Sequence, residues 1–165
     1  MVRDARLSEC GTFRWWLSRT WDASLPVLLF VMLNPSKADA SVDDPTVRKC
    51  IGFAQRNGYG SIVVVNLFAY RATDPADLKA GGWQQGEDNA VLVCDMARQY
   101  VHDGGRVVVA WGANARGRPE ARSMLSSLRG YGVPLYALRV LGDGTPAHPL
   151  MLPYSCELVP FGVPA

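Results

Sequence analysis

The sequence predicts an α/β fold, a three-layer α/β/α sandwich around a mostly parallel central sheet. Short apolar runs alternate with segments of helical periodicity, which is the pattern of successive β-α-β units. Several of these runs are continuous rather than alternating, as is typical of strands buried on both faces. With 165 residues, of which 48% are hydrophobic, the chain is expected to form a single domain over residues 1–165.

The clearest apolar run covers residues 27–33 and predicts the central strand. It stops abruptly at Asn34, Pro35 and Ser36, so the strand delivers a loop at its carboxyl end. Ligands of open α/β sheets bind beyond the carboxyl ends of the strands. These three residues are therefore expected at a functional site.

The elements flanking this strand follow from local chemistry. Residues 12–21 are rich in aromatic side chains and predict an antiparallel strand at the edge of the sheet. Asp44-Pro45 predicts a helix start, because Asp is a favoured N-cap and Pro suits the first helical position. The apolar residues that follow at helical spacing are Val47, Cys50, Ile51 and Ala54.

Strands and helices continue to alternate further along the chain. Apolar runs predict strands at residues 61–67, 106–111 and 134–140. Helices are predicted from Asp74-Pro75, over residues 87–101 and from Pro119. The tail from Leu141 is rich in Gly and Pro and predicts an ordered loop.

Composition narrows the functional classes. A net charge of +2 gives no electrostatic argument for nucleic acid by itself. The charged N-terminus does not resemble a signal peptide, and no apolar run approaches the ~20 residues of a membrane helix, so a cytoplasmic protein that does not contact membranes is expected. The chain has four cysteines, Cys10, Cys50, Cys94 and Cys156. They are too widely spaced for a zinc or iron–sulfur site, so we expect no metal and no cofactor.

Polar or loop-forming residues follow several predicted strands. Because parallel strands end at one edge of a sheet, these groups are expected to be neighbours: Asn34-Pro35-Ser36, Asn66, Trp111-Gly112 and His148. A strand-end Asn also caps turns, so a structural role is the alternative for each amide. Proline on both sides stiffens the loop of His148, whereas His102 is predicted at a helix C-terminus, where a solvated His is expected.

The order of these features resembles the uracil-DNA glycosylase superfamily, α/β proteins that cut the N-glycosidic bond of a flipped base. Met32-Leu33-Asn34-Pro35-Ser36 is similar to its first motif, and residues 62–72 to the strand that ends in a base-binding Asn. Residues 108–115 and Ala147-His148-Pro149 are similar to its later motifs. The chain more closely resembles a bacterial family of unknown function, domain-of-unknown-function family 1643, whose members share the Leu-Asn-Pro-Ser, Val-Asn-Leu-Phe and His-Pro-Leu signatures.

The glycosylase resemblance implies a role for each matched residue. Asn34 and His148 would be catalytic, Asn34 by positioning water and His148 by stabilising charge on the departing base. The implied base-binding residues are Asn66, Pro35, Ser36, Tyr70 and Trp111, with Phe53 as a further stacking candidate. The implied phosphate and DNA contacts are Arg71, Arg116, Arg118 and Met151, with Leu152 beside Met151 as a wedge into the base stack.

The chain departs from the glycosylase pattern at two places. Asn34 stands where the fastest members carry Asp, and an amide is not a general base, so the candidates for that role are Asp39, Asp43 and Asp44. The last motif also lacks its Ser-Pro-Leu-Ser ending. We predict a glycosylase-like hydrolase acting on a modified or damaged base in DNA, with a role in DNA repair. The alternatives are a non-catalytic nucleotide- or nucleic-acid-binding module and a metal-dependent phosphohydrolase using the three aspartates.

Overall fold

The computed structural model of the chain describes residues 1–162. Within them, seven strands form one sheet: β1 (Val2–Leu7), β2 (Arg14–Thr20), β3 (Val27–Met32), β4 (Ser61–Asn66), β5 (Arg106–Val109), β6 (Leu135–Ala137) and β7 (Val159–Pro160). The α-helices are α1 (Pro45–Arg56), α2 (Pro75–Ala80), α3 (Asn89–His102) and α4 (Pro119–Gly130), and a 3-10 turn covers Ala113–Ala115. None of the helices in this part of the chain combines the length and apolarity needed to cross a membrane.

The strands lie in the order β1-β2-β4-β3-β5-β6-β7. Strand β3 pairs in parallel with β4 and β5, and β5 with β6. The pairs β1-β2, β2-β4 and β6-β7 are antiparallel. The predicted α/β class is thus confirmed, but the sheet is mixed: its centre is parallel and antiparallel pairs flank it.

The predicted edge strand and tail need correction. Strand β2 is antiparallel as predicted, but β1 pairs with its outer side and forms the edge. The tail, predicted as loop, includes β7 against β6. Both additional strands are largely exposed, so no continuous apolar run marks them in the sequence.

Helices cover both faces of the sheet. On one face α1 packs over Phe30 of β3, and on the other α3 and α4 pack over Val31. Successive strand residues point to opposite faces, and both side chains are fully buried, which explains why this run carries no polar alternation. The predicted helix start is confirmed, since the Asp44 side chain accepts a hydrogen bond from the Val47 N–H (2.9 Å) and Pro45 follows it.

Candidate functional site

A cavity of about 490 Å³ opens where the central strands end. Its walls come from the ends of β3 and β4, the segment after β5, the first turn of α1 and the tail. Asn34, Asn66, Trp111 and His148 all line it, as does Ser36. Because β3 is flanked by β4 and β5, the strand order brings together Asn34, Asn66 and Trp111, which lie far apart in sequence. The Gly112 N–H bond to the Pro146 carbonyl holds the His148 segment beside them.

Asn66 is the most unusual group in this cavity. It is the last residue of β4, opposite Met32 of β3, and its side chain is only 1% exposed. Neither Oδ1 nor Nδ2 has a hydrogen-bond partner within residues 1–162. A buried polar group without a partner costs about 1–3 kcal/mol, and a group that entered the cavity and hydrogen-bonded to this amide would recover that energy.

Asn34 has a different environment. Its Nδ2 donates to the carbonyls of Pro35 (2.9 Å) and Ala72 (2.8 Å). The bond to Ala72 joins the loop after β3 to the loop after β4. Among the described residues no donor reaches its Oδ1, which is left as the free acceptor of this amide. Pro35 is buried and supports the loop through its carbonyl, without itself lining the cavity.

His148 is fixed in one tautomer when neutral. The Leu150 N–H donates to its Nδ1 (3.2 Å), so the ring proton belongs on Nε2. Burial lowers the pKa of His148 from 6.5, and the nearby Asp44 carboxylate opposes that shift only in part. At neutral pH the side chain is therefore an uncharged hydrogen-bond donor.

The lowered pKa of His148 predicts a pH-dependent stability. The unfolded chain takes up a proton near pH 6.5, whereas the folded chain resists it. The free energy of unfolding should thus fall as the pH drops below 6.5 and through the lower folded pKa. Urea titrations between about pH 5 and 7 should show a smaller decline for His148→Gln. If the free energies of unfolding of the two proteins changed in parallel with pH, the lowered pKa of His148 would be contradicted.

Gly112 allows the close approach of the His148 segment. It has φ of +81° and ψ of −177°, a region almost exclusive to glycine. Its N–H donates to the Pro146 carbonyl (3.0 Å), and an added Cβ would lie 2.8 Å from the His148 Cβ. The glycine therefore determines where the imidazole sits.

Gly112→Ala is expected to lower the free energy of unfolding by about 1–3 kcal/mol and to displace His148 from the cavity. Gly117→Ala is the matched control, since φ is +71° but nothing lies within 4 Å of the added Cβ. Thermal unfolding and ligand binding measure the two effects. Loss of ligand binding is predicted for Gly112→Ala alone, and equal loss in both variants would disprove the steric explanation.

Sequence reasoning missed Arg14 as a cavity residue. The first residue of β2, it is 3% exposed and lines the cavity. Its Nη1 donates to the Ala38 carbonyl (2.8 Å), while Nε has no partner within the described residues. Burial lowers its pKa to about 10, so the group is still charged at neutral pH. A charged residue inside an aromatic strand could have indicated a buried functional group, but a strand at the edge of the sheet can carry an exposed Arg.

Only one of the three candidate aspartates lines the cavity. Asp44 does so while also capping α1. Asp39 accepts hydrogen bonds from the Ser41 and Val42 N–H groups, and Asp43 pairs with Arg19 (2.7 Å). In residues 1–162 no three His, Cys, Asp or Glu side chains are grouped as metal ligands would be, and the phosphohydrolase hypothesis gains no support.

Tyr70 and Arg71 lie outside the cavity, in a neighbouring groove that shares Ser36 with it. The Arg71 guanidinium donates to the carbonyls of Ser36 (3.2 Å), Gly11 (3.1 Å) and Lys37 (3.4 Å). Its donors hold backbone segments together. Its predicted phosphate contact would have to compete with these bonds.

The remaining predicted DNA contacts also lie away from the cavity. Arg116 pairs with Asp143, and Arg118 pairs with Glu120 and lies over the Trp83 ring (4.1 Å). Met151 is 87% exposed, next to the buried Leu152. Phe53, a residue of α1, is fully buried and does not line the cavity, so it is not placed to stack on a base there. The contacts of Arg116, Arg118 and Met151 remain predictions about a separate surface.

Fold and site together define an α/β protein with a cavity, lined in part by polar side chains, at the carboxyl ends of its central strands. A family model described as "Protein of unknown function (DUF1643)" matches residues 14–150, and the chain belongs to this family. The matched range includes every residue that lines the cavity. No curated protein and no solved structure matches the chain.

Proposed function

We propose that this protein is a glycosylase-like hydrolase that cleaves the N-glycosidic bond of a modified or damaged base in DNA. The observation that carries the proposal is the unpartnered amide of Asn66 in the cavity wall. An amide offers an acceptor and two donors, which complements a base edge that presents a donor beside an acceptor. The buried amide would bind that edge once the base has left the stack.

The other cavity residues suit the hydrolytic step. The oxygen of water bonds to the sugar C1′ while the C1′–N bond breaks, and the bonding electrons leave with the base. The Nε2–H of neutral His148 would stabilise the negative charge on a base oxygen. Asn34 would hold the water through its Oδ1, and Asp44 would accept the proton that the water loses.

The relation of the fold to the uracil-DNA glycosylases is part of this proposal. It is supported by the order of the strand-end motifs along the chain and by the helices on both faces of the sheet. Asn34, Asn66 and His148, which the motifs single out, line one cavity. DNA as the partner follows from the same proposal.

Oligonucleotides carrying uracil, hypoxanthine or hydroxymethylcytosine derivatives test this function. One of these bases should be released, leaving an alkali-labile abasic site. Asn34→Ala and His148→Ala should lose the cleavage. Asn57→Ala and His102→Ala are matched controls at exposed helix ends and should keep it. Cleavage that is unchanged in the two cavity variants would refute the assigned roles.

A non-catalytic module that binds nucleotides or nucleic acid through the same cavity is the second candidate. It is favoured by the loop bonds of Asn34, whose Nδ2 is already used, and by the helix-capping role of Asp44. This candidate predicts base-dependent, salt-sensitive binding with no abasic site for any oligonucleotide of the panel.

A further inference from the structure

Arg14 and Arg19 are the two buried arginines of β2, and their surroundings differ. The Arg19 guanidinium pairs with Asp43 through Nε and donates to backbone carbonyls through both Nη atoms. Arg14 has no carboxylate within ion-pair distance among the described residues, and its one hydrogen bond there is from Nη1 to Ala38. Its Nε is buried without a partner. A buried cation of this kind is unfavourable until an anion or another acceptor pairs with it.

The surroundings of Arg14 favour an anion. Lys37 lines the same cavity and is exposed at its mouth. The first turn of α1, from Pro45 to Val47, also forms part of the wall, and a helix N-terminus carries partial positive charge. Asp44 is the opposing carboxylate, but its Oδ1 is occupied by the Val47 N–H. Two cations, Arg14 and Lys37, thus face one carboxylate, and that carboxylate already caps the helix.

Arg14 and Asn66 lie at the same end of neighbouring strands. Strands β2 and β4 are paired, and the Arg14 N–H donates to the carbonyl of Ala69, three residues beyond Asn66. The cavity volume of about 490 Å³ falls within the ~300–1,000 Å³ typical of small-molecule sites. One ligand therefore has room to meet both side chains.

We propose that Arg14, assisted by Lys37, forms an anion subsite in this cavity for the phosphate of the nucleotide whose base meets Asn66. This inference rests on the proposed base recognition and makes it more specific, because the bound unit is then a nucleotide rather than a base or nucleoside. The phosphate enters the cavity with the sugar and base. Exposed arginines on the surface are not needed for that contact.

Calorimetric titration of the whole chain tests the subsite. The probes are the 2′-deoxynucleosides of uracil, thymine, cytosine, adenine and guanine, their 5′-monophosphates, and inorganic phosphate. The preferred monophosphate should bind at least about tenfold more tightly than its nucleoside. Arg14→Gln should abolish this preference, so that the nucleoside and its monophosphate bind equally. Lys37→Gln should reduce the preference, and Lys79→Gln, an exposed lysine of α2 outside the cavity, should not.

The outcomes separate this subsite from the proposed function. Equal affinity for nucleoside and monophosphate overturns the subsite, even if Asn66-dependent nucleoside binding and base release persist. A phosphate preference that requires Arg14, with no base release from any oligonucleotide, supports the subsite and removes the hydrolase. If Arg14→Gln fails to fold, the preference of the unmodified chain and its reduction in Lys37→Gln decide the question. The subsite is also overturned if no probe shows binding that depends on its phosphate.

A short single strand distinguishes the two sources of phosphate. A trinucleotide with the preferred base at its centre offers phosphodiesters, whereas the 5′-monophosphate offers a monoester. Arg14-dependent binding of either supports the subsite, and the tighter of the two identifies the natural source. A trinucleotide and a monophosphate that both bind independently of Arg14 contradict it.

Discussion

Asn66→Leu is expected to stabilise the protein while removing its function. Leu has the same branched arrangement of side-chain heavy atoms as Asn, and the change replaces two unpartnered buried polar atoms with methyl groups. Relief of their desolvation should raise the free energy of unfolding by about 1–3 kcal/mol. Loss of the amide should reduce base release by about a hundredfold or more. Urea unfolding and the abasic-site assay on the same preparation measure the two effects.

Asn89→Leu is the matched control for this prediction. Asn89 is also 1% exposed and its Oδ1 has no partner among the described residues, but its Nδ2 donates to the carbonyls of Asn66 (2.8 Å) and Leu67 (3.3 Å). Its replacement leaves these acceptors unsatisfied and should lower the free energy of unfolding by about 1–3 kcal/mol. If Asn66→Leu were equally destabilising, the Asn66 amide would be structural and not reserved for a ligand.

Arg19→Met is expected to cause the largest loss of stability, about 3–5 kcal/mol. Arg19 is fully buried, and its Nε pairs with Asp43 while Nη2 donates to the carbonyls of Asp39 and Val42. These bonds hold the loop that leads into Asp44 and α1. Removing the guanidinium leaves Asp43 with the exposed Arg3 alone and takes a buried donor from both carbonyls. Denaturant unfolding gives the energy, and hydrogen exchange of residues 39–44 reports the loop.

Arg3→Met tests the exposed Arg3–Asp43 ion pair separately from the buried Arg19–Asp43 pair. Arg3 also pairs with Asp43 (2.9 Å), but 39% of its side chain is exposed. Exposed pairs contribute about 0–1 kcal/mol, so this variant should remain close to the unmodified protein. A cost for Arg19→Met as small as that for Arg3→Met would show that the loop is held by other contacts.

Much of the scaffold was predictable because its signals are local. Asp-Pro pairs mark the starts of α1 and α2, and in both helices the Asp side chain caps the first turn. The run through β3 is buried on both faces, so it is continuous in sequence. The convergence of Asn34 and Asn66 follows from the parallel pairing of β3 with β4, once the strands themselves are identified. His148 joins them through the contact of its loop with Gly112.

Other features depend on contacts between distant residues. Strand β1 carries mostly exposed residues and is defined by its pairing with β2, which no local pattern reveals. The burial of Arg14 depends on the Ala38 carbonyl, 24 residues away in sequence. The partners of Arg71, Arg116 and Arg118 are likewise set by the fold, so sequence could not distinguish a free guanidinium from an engaged one.

The most direct measurement of base recognition is an NMR titration of the Asn66 side-chain amide. Comparison with Asn66→Leu assigns its two Nδ2 proton signals, and Asn89→Leu assigns those of the neighbouring amide. The free bases uracil, thymine, cytosine and hypoxanthine are then added in turn. We predict that at least one base shifts the Asn66 signals strongly, while those of Asn89, already bonded to the backbone, change little. Unchanged Asn66 signals at saturating concentrations of every base would contradict base recognition by this amide.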